Sequence, residues 1–188
     1  MALEETAAGW DKGAALKSKR SSRMLNLKQL SKDGVPAAIE KAMRYRLLNE
    51  PGEAESICLD VLAIEPDNQK ALVTLLLALT DRYGRGFAVS GTQAEQIIKR
   101  LSDSYEKAYY SGLVCERKAK AQLAQGAPGS GFNAHDLITD AMKHYEHAES
   151  IRPAGNDDAL LRYNACARIM MKNNLTARQQ EHYEPALE

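Results

Sequence analysis

Two stretches of this chain, 87 residues apart, align without a gap: Ala54-x3-Cys58-x2-Val61-x2-Ile64-x-Pro66 and Ala141-x3-Tyr145-x2-Ala148-x2-Ile151-x-Pro153. Spacings of three and four put each set of apolar residues on one face of an α-helix. The closing proline lacks the N–H that a continuing helix would need. The opening alanine leaves room for a neighbouring helix to cross closely. One such unit cannot bury its apolar face alone, so a repeat predicts stacked helical units rather than a single free-standing motif.

The rest of the chain reads in the same terms. Residues 1 to about 22 mix glycine, serine and lysine with little periodicity and read as a flexible arm. Met24, Leu25, Leu27 and Leu30 predict a short amphipathic helix entered through Ser21 or Ser22 and broken at Asp33-Gly34. From Pro36, which suits a first helical turn, Ala38, Ala42 and Tyr45 mark a helix face that ends in an Asn49-Glu50-Pro51-Gly52 turn. The Ala54 helix follows and stops before Pro66. A third helix begins near Gln69 and is apolar almost all round (Leu72, Val73, Leu75, Leu76, Leu77, Leu79), the signature of the most buried helix.

After a glycine-rich connection, Thr92 and Glu95 predict a capping box opening a fourth helix with Ala94, Ile97, Ile98 and Leu101. A fifth starts at Ser102-Asp103-Ser104 and runs to about Gln125. Gly126–Gly131 reads as a flexible loop, and a sixth helix runs from about Ala134 to Ile151. A seventh covers roughly Asp157–Lys172, followed by a polar tail. Phe87-Ala88-Val89 is the one hint of a strand.

These residues resemble the tetratricopeptide repeat, in which an aromatic-x2-Leu-Gly/Ala-x2-Tyr helix is followed by an Ala-x3-Phe…Pro helix. Residues 35–68 carry the likeness through Ala42, Tyr45, Ala54, Cys58 and Pro66, but have Ala38 and Lys41 where the pattern has an aromatic and leucine. Residues 69–104 resemble a second unit through Leu72, Leu75, Leu76, Leu79, Ala94 and Ile98, without the closing proline. Residues 105–153 resemble a third through Ala108, Gly112, Cys115, Ala141, Tyr145, Ala148 and Pro153.

The resemblance implies an all-α, right-handed α-solenoid: three helix pairs and a capping helix at 156–172, within a domain of residues 33–173. A basic arm (1–32) and a polar tail (174–188) flank it. The 87-residue separation exceeds two 34-residue steps by 19 residues. The reading assigns that excess to longer connections between Leu79 and Ala94 and between Cys115 and Ala141.

In the resembled family the first helix of each unit lines a concave groove that grips a partner segment. Carried over residue by residue, that face holds Ile39, Met43 and Arg46 in the first unit and Lys70, Val73, Leu77 and Asp81 in the second. Tyr109, Leu113, Glu116 and Arg117 follow in the third, then Leu160 and Asn164 on the capping helix. The resemblance therefore implies a protein-binding adaptor with an apolar groove centre and a charged rim, suited to a hydrophobic, helical partner segment. The places where some family members clamp a terminal carboxylate hold Ile39, Met43, Val73 and Thr74, which argues against such a clamp here.

Charge is unevenly spread. From Lys12 to Lys32 there are seven basic residues and no acidic one, while the whole chain has 25 of each sign. The arm could dock on the acidic body, or touch phosphates as a nucleic-acid accessory; the lack of interleaved aromatics and the acidic body disfavour the latter. His144 and His147, one turn from Asp140, define the alternative of a metal-binding sensor or catalyst, although two histidines at this spacing arise readily on a solvated helix face.

Cys58, Cys115 and Cys166 are too scattered for a disulfide framework and read as small packing residues. The glycine stretches lack the strand context and Gly-Lys-Ser/Thr of a phosphate loop, and no catalytic motif is present. The expectation is a non-enzymatic cytoplasmic protein with no cofactor and no membrane partner. A second copy of the chain is an allowed partner beside another protein.

Overall fold

The computed structural model describes residues 26–84 and 91–178. Among these the protein is all-helical, with no strand. A short 3-10 turn, Lys32–Gly34, leads into α1 (Val35–Leu47), α2 (Pro51–Ile64), α3 (Gln69–Asp81), α4 (Gly91–Arg100), α5 (Ser104–Gln125), α6 (Ser130–Ser150) and α7 (Asp158–Asn173). Each helix packs on the next, and α1, α3 and α5 also touch in turn.

Local chemistry explains most of the boundaries. The Asn68 side chain accepts from Ala71 N at 3.0 Å and Asp103 from Glu106 N at 2.7 Å, capping α3 and α5. Gly126 takes the left-handed conformation (φ 62°) that ends α5. Asn49, also left-handed at φ 65°, turns the chain from α1 into α2. Pro51 and Gly52 then belong to the first turn of α2 rather than to the turn before it.

Three expected boundaries move. Asn26–Leu30 is not helical, and Asp33-Gly34 does not break the chain but forms the 3-10 turn that feeds α1. Helix α4 starts at Gly91, so Thr92 is inside the first turn and is not its N-cap. Helix α6 starts at Ser130, which leaves only Gly126–Gly129 as connection. Most of the extra length between Cys115 and Ala141 is thus helix: α5 and α6 have 22 and 21 residues, against 13 and 14 for α1 and α2. Lengthening two packed helices buries more apolar surface than a long loop would, and keeps the backbone hydrogen bonds internal. The Phe87-Ala88-Val89 segment lies outside the described residues.

The aligned stretches do the same packing work. Ala54, Cys58 and Val61 are 0, 1 and 0% exposed; Ala141, Tyr145 and Ala148 are all at 0%. The first set packs between α1 and α3, the second between α5 and α7. Helix α3 holds the centre: Ala71, Leu72, Leu75, Leu76, Ala78 and Leu79 are buried, and its two buried threonines return their hydroxyls to the helix, Thr74 to Lys70 O and Thr80 to Leu76 O. Gly112 lets α6 approach α5. A Cβ there would sit 2.8 Å from Tyr145 Cε1 and 3.1 Å from Ala141 O.

Candidate functional site: the shared face of α1, α3 and α5

The expected groove residues fall into three groups. Ile39, Met43 and Lys70 come together: with Val35, Pro36, Glu40 and the α2–α3 turn they line a groove of about 720 Å³ between α1 and the start of α3. Met43 is half exposed at 50%. Ile39 forms part of the groove floor and is itself buried with Val35, Val61 and Ala71. Val73 and Leu77 are half-buried on α3, one turn apart.

Arg46, Asp81 and Arg117 form the second group, an ionic row across three helices. Arg46 Nε meets Asp81 Oδ2 at 2.8 Å, and Arg117 NH1 meets Asp81 Oδ1 at 2.8 Å. Arg117 also donates to Leu77 O at 3.0 Å and to Thr80 Oγ1. One carboxylate thus bridges two guanidiniums, leaving the trio with a net positive charge, its side chains only about a fifth exposed. Burial pulls the Arg117 pKa below its usual range, and the neighbouring Asp81 partly offsets this. The row ties α1, α3 and α5 into one surface and borders a shallow pocket of about 320 Å³ that includes Tyr83, Lys120 and Ala121.

The third group departs from the expectation. Glu116 is not a rim charge: its side chain is wholly buried. It accepts from Tyr145 Oη at 2.7 Å, from Lys120 Nζ at 2.5 Å and from Arg162 NH1 at 3.4 Å. On α5 it lies beside Arg117 in sequence, but the helical turn of about 100° per residue carries it inward. Burial, followed by the Glu116 charge and hydrogen bond, pushes the Tyr145 hydroxyl pKa well up. Leu113 is buried as well, and Tyr109 belongs to an aromatic cluster, stacked on Tyr105 with centroids 5.9 Å apart and tilted against Tyr145 at 5.8 Å. Leu160 is half-buried and Asn164 exposed on α7.

Arg162 was the residue that the helix pattern hid. On a capping helix it reads as part of a polar outer side, yet it turns back toward α5. Burial works against its cation, but a hydrogen bond to Tyr109 and the Glu116 charge outweigh that and raise its pKa. The one available signal was the Glu116→Lys120 spacing of four, favourable on a helix, which marked a charge pair without saying that one member is buried.

The alternative sites are less developed. Among the described residues no group of three or more His, Cys, Asp or Glu side chains could hold a metal ion. His144 is half-buried, His147 is exposed, and Asp140 pairs with Lys143 at 3.0 Å. Cys58 and Cys166 are buried, and burial pushes each thiol up to about 12, far from a nucleophile's range. Cys115 is half-buried and also raised by burial. Most of the basic arm lies outside the described residues. No described helix is long and apolar enough to cross a membrane. No protein-family model, curated protein or solved structure matches the chain.

Proposed function

We propose that this protein is a non-enzymatic interaction scaffold, a tetratricopeptide-like right-handed α-solenoid that binds a hydrophobic, helical segment of a partner protein. The observation that carries this reading is the groove of about 720 Å³ lined by Ile39, Met43 and Lys70, three of the residues that the resemblance puts on the concave face. The equivalent burial of the two aligned stretches supports the repeat architecture. Met43, Val73 and Leu77 would supply the apolar contact, and methionine adapts to more than one ligand shape. The Arg46–Asp81–Arg117 row would set the ligand's direction along one border. A reducing, cytoplasmic setting suits three free cysteines.

The test is Leu77→Asp, which sets an unpaired charge where the ligand would pack. Circular dichroism must first show that the variant keeps its helical signal. Folded variant should lose the partner proteins that the wild type retains, whereas Glu149→Lys on α6 should retain them. Equal retention by folded Leu77→Asp together with folded Met43→Asp, which sits in the groove itself, would remove the groove from consideration.

A further inference from the structure

Helix α2 and its two ends carry an acidic surface on which Glu55 alone has an ion-pair partner among the described residues. From Glu50 to Gln69 there are six acidic residues and no basic one. Glu55 pairs with Arg82. Glu50, Glu53, Asp60, Glu65 and Asp67 form no ion pair among the described residues. Glu53 and Asp60, two turns apart, share one side of the helix. Like charges at this density repel; Arg82 answers Glu55, Lys70 shares a groove with Glu65 and Arg100 reaches Pro66 O, which leaves Glu53 and Asp60 as the least compensated part of the face. The arrangement costs stability unless something cationic covers it.

The chain itself contains a cationic segment of matching size. Lys12, Lys17, Lys19, Arg20, Arg23, Lys28 and Lys32 are uninterrupted by any acidic residue. The described structure shows where that segment joins the body. Leu30 packs against the cluster of Val35, Ile39, Val61 and Ala71, so the chain is pinned beside the C-terminal half of α2, close in sequence to Asp60, Glu65 and Asp67. Arg23 is 7 residues and Lys12 18 residues from that anchor, so a fully extended tether would reach about 23 to 60 Å at about 3.3 Å per residue. The 14 residues of α2 span only about 21 Å. The tether is short enough to hold the basic residues at high local concentration over α2, and long enough to cover its whole length.

We propose that the α2 face bearing Glu53 and Asp60, with Glu65 and Asp67 at its end, is the docking surface for the chain's own basic segment Lys12–Arg23. The contact is electrostatic and multivalent, with no apolar pocket required, so it is reversible and strongly dependent on ionic strength. Docking neutralises the one-sided charge of α2. The inference is independent of the binding proposal above, since it needs only the charges and the anchor.

Zero-length carbodiimide crosslinking of the full chain, with the products mapped by mass spectrometry, tests it directly. An equal mixture of isotope-labelled and unlabelled protein separates links within a chain from links between chains. The expected result is same-isotope links from Lys12, Lys17 or Lys19 to Glu53, Asp60, Glu65 or Asp67. Their yield should fall at least about fivefold between 0.1 M and 1 M salt, as the Debye length shrinks from about 10 Å to about 3 Å. Links that go chiefly to the α6 carboxylates, links only between chains, salt-insensitive links, or no arm links at all would each overturn the proposal.

Discussion

Tyr145 donates its hydroxyl to Glu116 at 2.7 Å with both side chains sealed from solvent, and this bond fastens α6 to α5. The carboxylate keeps Lys120 and Arg162 as further partners, so losing the tyrosine hydroxyl removes one charge-assisted bond and leaves the charge partly satisfied. Tyr145→Phe should therefore destabilise by about 1.5–3 kcal/mol, the range for hydrogen bonds to charged groups. Urea denaturation reads the difference. Tyr105→Phe, which loses neutral hydrogen bonding, including a 3.2 Å bond to Asn156, should cost less, about 0.5–1.5 kcal/mol.

The same crossing makes a prediction at Gly112. Alanine is the better helix former by about 1 kcal/mol, so propensity alone predicts that Gly112→Ala stabilises. The added methyl would lie 2.8 Å and 2.9 Å from the Tyr145 ring and 3.1 Å from a backbone oxygen of α6. Neither neighbour is the loose end of a flexible chain. Overpacking should win, and the variant should be less stable by about 1–3 kcal/mol in thermal or urea unfolding.

Core and surface leucines should separate cleanly. Leu76→Ala removes a fully buried side chain from the central helix and should cost about 2–5 kcal/mol. Leu161, 62% exposed on α7, should tolerate alanine within about 0.5 kcal/mol. Chemical denaturation of the two variants side by side provides the comparison.

The thiols give the pH dependence. Burial pushes Cys58 and Cys166 from 9.0 to about 12, while in the unfolded chain they ionise near the ordinary value. A raised folded pKa means that the stabilising contribution is complete below about pH 9 and is lost as pH rises toward 12. Stability should accordingly decline through that window, and Cys58→Ala, though less stable at pH 8, should show a shallower decline. At pH 8 a thiol reagent should leave Cys58 and Cys166 unmodified in native protein, and all three cysteines should react after unfolding.

Helix identity was legible because apolar spacing and proline stops are local signals. The α3 core face, the Asp103 cap and the end of α2 before Pro66 all follow from them. Sequence reading failed where the deciding quantity is distance between helices. It took the extra length between Cys115 and Ala141 for connection, since glycines at 126, 129 and 131 look like a loop, yet Ser130 and Gly131 join α6. It took Glu116 for a rim charge because charged residues are rarely buried without partners, and its partners Tyr145 and Arg162 lie 29 and 46 residues away. Ile39, Met43 and Lys70 line one groove because helical periodicity turns these positions of α1 and α3 toward the same side.

The scaffold reading is tested most directly by photo-crosslinking in the native cell, with a photoreactive amino acid placed in turn at Met43, Lys70, Leu161 and Met171. All four positions are exposed, so none should disturb the core. Met43 and Lys70 should capture the same partner protein through one contiguous apolar segment, while Leu161 and Met171 on α7 should not capture it. If all four positions yield the same products, or if Met43 and Lys70 yield none while α7 does, the groove between α1 and α3 is not where this protein binds.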